Sequence, residues 1–260
     1  MKISIRRSWN SISPNYQKNT IISLNDVHYG PLMAGEKKLN LLGNVKKKKV
    51  LEMGCGGGQN STVLAKWGAN VTGIDISENQ IAYAKDLARR EKVNVKFIVS
   101  NMEKLTSIPS KSIDIVISSF AIHYADNIEK TFREVGRVLK LNGVFVLCDG
   151  HPVNYFNWIR HKGKDAIVIG NYFKRRKVYW VWRSVGKVKL YDYYRNFQDY
   201  IEPLIKNGFV IERFLEPEIL DMRDIKRGRS PYVNDYYKKW YKRWKRNPLT
   251  FIIKARKVTE

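Results

Sequence analysis

The sequence of 260 residues predicts an α/β fold in which helices cover both faces of a mostly parallel, doubly wound sheet. Three observations support this prediction. Short apolar segments of strand length alternate with segments of helical periodicity between residues 45 and 150. A glycine-rich turn follows the first of these strands, and an aspartate ends the second. Together these features are typical of a Rossmann-like sheet, which binds its ligand at the carboxyl ends of the strands.

The first five strands are expected from short runs of β-branched and other apolar residues. They cover residues 50–53, 70–75, 95–99, 113–117 and 144–148. The helices between them carry apolar residues at helical spacing, namely Ile81, Ala84 and Ala88 in one and Ile128, Phe132, Val135 and Leu139 in another. Ser77 and Gln80 have the spacing of a capping box, so a helix is expected to begin just after the second strand.

The second half of the chain is expected to complete a seven-stranded sheet. Residues 151–195 are rich in aromatic and basic side chains, and they include a hairpin-like pair of segments, 178–183 and 187–193, around residues 184–186. We interpret this region as an insertion after strand five that caps the strand ends. Four further elements follow: a helix at 197–206 ending at Asn207 and Gly208, a sixth strand from 209, an aromatic and basic helix at 236–245, and a seventh strand at 249–253.

One domain is expected to span residues 1–260, a length that suits a generous α/β domain. Within it, residues 1–44 form a lead-in or lid and residues 45–150 form the core that holds the glycine-rich turn. Residues 151–195 form the cap insertion, and residues 196–260 form the C-terminal part of the sheet.

Lysine and arginine outnumber acidic residues by 48 to 24, which gives a formal net charge of +24. Such a charge suits a polyanionic partner such as RNA, DNA or an acidic membrane surface. Because the basic residues are spread along the chain, a lysine-rich proteome is the favoured explanation. No apolar run approaches the roughly 18 residues of a membrane span. With only two cysteines, no secretory signal pattern and no metal-ligand spacing, the expectation is a cytoplasmic protein without a metal site.

The strongest chemical signal is the run EMGCGGG at residues 52–58. Its glycines allow a tight turn and a close approach of the backbone to a ligand. The pattern lacks the third glycine of a nicotinamide fingerprint, because Gln59 stands there. Asp75 ends the next strand, where a carboxylate can accept hydrogen bonds from ribose hydroxyls. We therefore expect a ligand that contains a nucleoside, although the sequence lacks the glycine pattern of the dinucleotide-binding proteins.

At this point the sequence resembles the class I S-adenosylmethionine-dependent methyltransferases. The segment VLEMGCGGGQNS is similar to their motif I, and VTGIDISENQIAYAK to the segment that follows it. DIVISSFAIHYADN and FREVGRVLKLNGVFVL resemble the later motifs of the family. HYGPLMAGEKKLNLLG and the tail EPLIKNGFVIERFLEP resemble the small-molecule, or type 11, branch. The resemblance implies S-adenosyl-L-methionine as cofactor and says little about the methyl acceptor.

The resemblance also implies which residues hold the cofactor. Glycines of motif I would lie against it, Glu52 would face its methionine end, and Asp75 would bind the ribose. Ile76 would pack beside the adenine, and Asn101, where the family often has aspartate, would hold it together with Met102. Ser118 would lie beside the sulfonium, and Tyr29 would close over the methionine moiety. The full implied set is Tyr29, Glu52, Gly54, Cys55, Gly56, Gly58, Asp75, Ile76, Asn101, Met102 and Ser118.

Methyl transfer from a sulfonium is a direct in-line displacement that requires no nucleophilic enzyme residue. A general base helps when the acceptor is a hydroxyl or a protonated amine. His123 and His151 follow the fourth and fifth strands, and His123 is the favoured base. The residues after the fourth strand, Ser118 to Ala121, lack the Asn/Asp-Pro-Pro-aromatic turn used to methylate exocyclic amino groups of bases. Neither cysteine is placed to act as the nucleophile for cytosine C5 methylation.

Three functions follow from these observations. The first is methyl transfer to a small molecule. The second is an RNA (tRNA or rRNA) methyltransferase, because residues 174–182 and 236–246 interleave basic with aromatic side chains. The same segments can equally build a substrate lid, the interface of a homodimer, or a solvated cap. The third function is a cofactor-binding scaffold without catalysis, which the intact glycines and Asp75 disfavour.

Overall fold

The computed structural model describes residues 3–182 and 187–259. The described residues form helices α1 (Ile5–Asn19), α2 (Glu36–Leu39), α3 (Gln59–Lys66), α4 (Glu78–Arg90), α5 (Ile128–Val138), α6 (Gln198–Lys206), α7 (Met222–Lys226), α8 (Asp235–Lys239) and α9 (Tyr241–Trp244). The strands are β1 (Thr20–Ile22), β2 (Lys49–Met53), β3 (Asn70–Asp75), β4 (Val95–Val99), β5 (Ile113–Ser119), β6 (Leu139–Gly150), β7 (Asn157–His161), β8 (Lys164–Val168), β9 (Arg176–Trp182), β10 (Val188–Tyr194), β11 (Phe209–Leu215), β12 (Tyr232–Asn234) and β13 (Thr250–Lys257). The turn predicted at residues 184–186 lies outside the described residues.

The central sheet has seven strands in the order β11-β13-β6-β5-β2-β3-β4. The five strands from β2 to β6 run parallel, whereas β13 is antiparallel to both of its neighbours. Strand β2 pairs with β3 on one side and with β5 on the other, so the strand order reverses there. The predicted doubly wound, mostly parallel α/β sheet is therefore confirmed, and its reversal point is where such sheets bind ligands.

Apolar packing on both faces of the sheet explains why its strands are so rich in apolar residues. Val50 of β2 packs in one cluster of buried residues, whereas Leu51 and Met53 pack in another. Side chains of α5 fill the second cluster at the predicted helical spacing, with Phe132 and Val135 fully buried. The buried faces fix the register of β2, because a slip by one residue would exchange them.

Local signals set most of the element ends, and several elements differ from the prediction. Leu139, for example, was expected in the helix and lies in a strand. Asn207 caps α6, and Gly208 follows it with a φ of 79°, as expected for a helix C-terminus. The predicted aromatic and basic helix is interrupted at Trp240, which separates α8 from α9. The fifth sheet strand begins at Leu139, earlier than predicted, and continues through the turn at Asn142.

The capping box predicted at the start of α4 forms only in part. The Ser77 hydroxyl accepts a hydrogen bond from the backbone N–H of Gln80, as predicted. The Gln80 side chain does not complete the box, because its Oε1 accepts a hydrogen bond from Gln17 of α1 at 2.7 Å. A tertiary contact has thus replaced the local one.

The lead-in segment crosses the carboxyl edge of the sheet. Helix α1 packs against α4 and against β10. Strand β1 then pairs with β12 in antiparallel register, with Thr20 opposite Asn234. The two ends of the chain are therefore joined above the strand ends.

Two hairpins follow the fifth sheet strand and lie outside the central sheet. Strand β7 pairs with β8, and β9 pairs with β10, both in antiparallel register. The second hairpin contacts α1 and a 3₁₀ turn at Ile122–Tyr124. Within the described ranges, no helix is both long and apolar enough to cross a membrane.

Candidate functional site

A cleft of about 1150 Å³ opens at the carboxyl ends of β2, β3, β4 and β5. It lies at the reversal point of the sheet, and the segments that line it come from the loops after these strands. Side chains from α1, from the hairpin β9–β10 and from α8 and α9 complete its walls. The volume slightly exceeds the roughly 300–1,000 Å³ typical of small-molecule sites. One ligand-sized space therefore joins the glycine-rich turn to the C-terminal half of the chain.

The glycine-rich turn forms part of this cleft because its backbone adopts left-handed conformations. Gly54, Gly56 and Gly58 have φ values of 68°, 51° and 77°. A Cβ atom added to Gly54 would lie 2.3 Å from the Cβ of Ala121. A Cβ added to Gly56 would meet no atom within 4 Å, so the loop presents bare backbone to open space. Both features suit the close approach of a flat ligand.

The third predicted glycine has a different role from the one expected. Gly58 is the N-cap of α3, and the cleft is lined by its neighbours Gly57 and Gln59. A Cβ at Gly58 would lie 2.8 Å from both Ala84 and Phe97. The expectation that Gly58 lies against the ligand is corrected: its missing side chain lets α3 pack closely on the neighbouring helix and strand.

Asp75 lies at the end of β3 and lines the cleft. One carboxylate oxygen accepts the backbone N–H of Gly56 at 2.9 Å, and the other accepts that of Ser77 at 2.9 Å. Burial raises the pKa of this carboxyl, while these backbone hydrogen bonds act to lower it. Since each oxygen has a further lone pair, the carboxylate can hold both loops and still accept hydrogen bonds from a ligand.

Glu52 is buried on the floor of the cleft, at the carboxyl end of β2. The Ser61 hydroxyl donates to its carboxylate at 2.5 Å. Burial raises the pKa of Glu52 to about 7, although hydrogen bonds from Ser61 and Asn60 act to lower it. A cationic group placed beside Glu52 would offset the cost of keeping this carboxylate charged.

The remaining predicted residues around Asp75 also border the cleft. Ile76 and Met102 offer apolar surface, and Asn101 is exposed beside them. The Asn101 side-chain oxygen accepts the backbone N–H of Glu103 at 2.8 Å, which leaves its amide group to donate. Cys55 lines the same wall, and burial raises the pKa of its thiol well above the ordinary value. The loops after β2, β3 and β4 thus meet as the sequence indicated.

The structure does not bring Tyr29 or Ser118 to the cleft. The Tyr29 hydroxyl donates to the buried Glu36 carboxylate at 2.7 Å, inside the core. The Ser118 hydroxyl donates to the carbonyl of Met53 at 3.0 Å, within the sheet. The neighbours His28 and Ser119 line the cleft instead. These two expectations are corrected, because Tyr29 satisfies a buried carboxylate and Ser118 joins two adjacent strands.

His123 lines the cleft beyond the end of β5 and forms a buried pair with Asp149. Its Nδ1 bonds the carboxylate of Asp149, which also accepts the Tyr200 hydroxyl at 3.1 Å. Burial alone would lower the pKa of His123, but the charge and hydrogen bond of Asp149 outweigh burial and raise it. With Nδ1 occupied, Nε2 is the nitrogen that can exchange a proton with a molecule in the cleft.

His151, the alternative base, uses both of its ring nitrogens in hydrogen bonds within the protein. Its Nε2 bonds the Glu216 carboxylate at 2.6 Å, and its Nδ1 accepts the backbone N–H of Val153 at 3.3 Å. Burial lowers the pKa of His151, and it is not among the described residues that line the cleft. The geometry favours His123 over His151 as the base.

Several residues that line the cleft or hold its walls were not predicted from the sequence. Gln17 of α1 accepts a hydrogen bond from Gln59 at 2.7 Å, and it also bonds Gln80, so α1 is tied to the loops after β2 and β3. Phe120 lines the cleft with a φ of 60°, a rare conformation for an aromatic residue. Asp192 reaches the cleft from β10. Only Phe120 lay next to a predicted site residue, and no local pattern indicated the other two.

Replacing Gly54 by alanine is expected to impair both folding and ligand binding. The new Cβ would collide with Ala121 and would also strain the left-handed backbone, which together cost about 1–3 kcal/mol or more. We expect a lower melting temperature and a weaker affinity for a nucleoside ligand. Gly43 is a matched control, since it has a φ of 66° and open space around its missing Cβ. Equal effects of Gly54→Ala and Gly43→Ala on ligand affinity would contradict the packing argument.

Comparisons with known proteins agree with this geometry. Residues 51–147 match the family model described as a methyltransferase domain. An uncharacterized protein of Haemophilus influenzae is 31% identical over 252 residues, which cover 91% of this chain and 90% of that protein. A demethylmenaquinone methyltransferase of Tropheryma whipplei is 30% identical over 151 residues, which cover 57% of this chain and 60% of that enzyme.

A solved structure extends the likeness to most of the fold. It is a Listeria monocytogenes protein, provisionally described as an S-adenosylmethionine-dependent methyltransferase. It superposes with a TM-score of 0.67 at 28% sequence identity, and the match covers 85% of this chain and 95% of that one.

Proposed function

Since the chain belongs to the family of S-adenosylmethionine-dependent methyltransferases, we propose that it transfers the methyl group to a small-molecule acceptor held in the same cleft. The observation that carries this proposal is that Asp75 and His123 line one continuous space of about 1150 Å³. That space has room for a second small molecule beside the cofactor.

The residues around the glycine-rich turn suit S-adenosylmethionine. Two carboxylates, Glu52 and Asp75, border the space, and Gly56 presents bare backbone to it. In the proposal Asp75 accepts the ribose hydroxyls, Ile76, Asn101 and Met102 hold the adenine, and Glu52 faces the cationic methionine end. The cofactor supplies a methyl group bonded to a positively charged sulfur, which is already activated for displacement.

In the proposal the protein positions the acceptor beside the methyl group, excludes water from the cleft and removes a proton from the acceptor. Holding the acceptor in line with the methyl group contributes up to about 7–11 kcal/mol to lowering the barrier. Helix α1 and the hairpin β9–β10 wall the cleft and limit the access of water. His123, held by Asp149 through Nδ1, takes the acceptor's proton on Nε2.

The positions of the aromatic rings support a lid rather than an RNA surface. Trp180 and Trp182 of β9 line the cleft, and Trp158 packs edge-on against Trp244 at 5.7 Å. These tryptophans offer little stacking surface to a single-stranded nucleic acid, whereas Tyr179 and Tyr236 of the same segments are exposed. We therefore favour a small acceptor, and we keep the cytoplasmic location, the homodimer, the single domain and the cap insertion as predictions from the sequence.

Transfer of labelled methyl groups tests the proposal. The purified protein would be incubated with methyl-labelled S-adenosylmethionine and either the small-molecule fraction or the RNA fraction of a cell extract. We expect label in the small-molecule fraction with the wild-type protein and none with Asp75→Ala. Label that accumulates in RNA alone would overturn the assignment of the acceptor class.

A further inference from the structure

The hairpin β9–β10 brings an unpaired carboxylate to the cleft. Asp192 of β10 lines it, and its Oδ1 is buried without a hydrogen-bond partner among the described residues. Burial raises the pKa of Asp192, whereas the charge of His123 and the nearby indole N–H of Trp180, which does not reach ordinary hydrogen-bond geometry, act to lower it. Buried polar atoms are nearly always paired, so this oxygen requires an explanation.

Aromatic rings from α1 and from the hairpin line the same cleft. Trp9 of α1 packs edge-on against Tyr16, Tyr124 and Trp182, with ring centroids 5.4, 5.8 and 6.0 Å apart. The centroids of Trp180 and Trp182 are 5.6 Å apart. We call these five cleft-lining residues, Trp9, Tyr16, Tyr124, Trp180 and Trp182, the aromatic cage. Aromatic faces attract cations and repel anions.

Two neighbouring charged groups have partners, although Nη1 of Arg195 is buried without a hydrogen-bond partner among the described residues. Asp149 bonds His123, the Tyr200 hydroxyl and the backbone N–H of Gly150. Arg195 donates to the carbonyl of Ala125 and lies over the ring of Tyr193. Asp192 therefore presents an unpaired carboxylate oxygen to a cleft that the aromatic rings also line, and this combination suits a positively charged ligand.

We propose that the methyl acceptor is a small organic amine, which enters as its ammonium cation and is held by Asp192 within the aromatic cage. The inference rests on the proposed function and specifies its substrate class. A neutral hydroxyl compound would bring no positive charge to this buried carboxylate, whose charged form is otherwise stabilised by His123 and Trp180. An anionic acceptor would be repelled by both the carboxylate and the rings.

The proposed reaction requires only the ammonium acceptor, the methyl group on the sulfonium and His123. His123 Nε2 takes one proton from the ammonium group, which frees the nitrogen lone pair. That lone pair forms the new N–C bond while the C–S bond breaks, and the electron pair of the broken bond stays on sulfur. The products are a methylated ammonium cation and the neutral thioether, and His123 then releases its proton to solvent.

Matched pairs of amines and alcohols test this inference by titration calorimetry. The full-length protein, saturated with S-adenosylhomocysteine, would be titrated with benzylamine, phenethylamine and cyclohexylamine. It would also be titrated with benzyl alcohol, 2-phenylethanol and cyclohexanol, which differ only in the charged group. We expect at least one amine to bind at least about tenfold more tightly than its alcohol, and Asp192→Asn to remove this preference. In Asp192→Asn, methyl transfer to the preferred amine should decrease together with the affinity for that amine.

Two comparisons keep the outcomes distinct. Asp192→Asn should leave the affinity for S-adenosylhomocysteine unchanged. Asp86→Asn, at an exposed residue of α4, should change neither this affinity nor the affinity for the amine. Three outcomes would each overturn the inference. The alcohols could bind as tightly as the amines, or Asp192→Asn could weaken the binding of amines and alcohols equally. The third outcome is that no amine binds to the protein loaded with S-adenosylhomocysteine. Failure of the wild-type protein to bind S-adenosylhomocysteine would instead overturn the proposed function.

Discussion

Replacing Asp75 by alanine is expected to lower the affinity for S-adenosylhomocysteine by about 100-fold or more. The carboxylate holds the backbone N–H groups of Gly56 and Ser77, and in the proposal it also accepts the ribose hydroxyls. Hydrogen bonds to charged groups contribute about 1.5–3 kcal/mol each, and every 1.4 kcal/mol is tenfold in affinity. Titration calorimetry measures this change directly.

Asp86→Asn is the control, because this aspartate pairs with Arg89 and Arg90 on the surface of α4. It removes one carboxylate far from the ligand and should leave affinity unchanged. The melting temperature of each variant shows whether it is folded. A folded Asp75→Ala protein that loses less than tenfold in affinity would contradict the role of this carboxylate.

Replacing His123 by asparagine is expected to lower kcat by about 10²–10⁴-fold, the usual contribution of a general base. Asparagine can keep a hydrogen bond to Asp149 and so avoids leaving a buried charge unpaired. The affinity for S-adenosylhomocysteine should not change. A loss of less than tenfold in kcat would remove His123 as the base.

The pH profile supplies a second measurement of the same prediction. His123 acts as a base only when it is unprotonated, so kcat should rise as the pH rises through its pKa. Burial lowers this pKa, but Asp149 raises it above the ordinary value, so the wild-type inflection should lie above pH 6.5. Asp149→Asn should move the inflection to lower pH, because Asp149 contributes the largest of the effects that raise this pKa. An inflection that does not move would show that another group controls the profile.

The sheet and the glycine-rich turn could be predicted because their signals are local. Apolar runs end where the strands end, and Asp75 follows its strand within the same short motif. The register of side chains was harder to predict. Strand β5 extends to Ser119, two residues beyond the prediction, and side chains alternate along a strand. Ser118 therefore bonds within the sheet, whereas Ser119 reaches the cleft.

The walls of the cleft could not be predicted, because they depend on contacts distant in sequence. Gln17 meets Gln59 and Gln80 only after the sheet has brought their loops together. No sequence motif marks Asp192 on β10. Only the folded structure places its side chain in the cleft that the aromatic rings also line. Tyr29 was misassigned because its buried partner Glu36 competes for the hydroxyl. Sequence patterns thus locate the cofactor loop, and tertiary packing defines the acceptor side.

The pairing of β1 with β12 has a consequence for the order of assembly during synthesis. Thr20 emerges from the ribosome early, but its partner Asn234 is made near the end of the chain. The loops that bear Gly56 and Asp75 lie between these positions and can fold sooner. The loops that hold Gly56 and Asp75 can therefore fold before Asn234 has been synthesised, whereas the pairing of β1 with β12 over the cleft forms only afterwards.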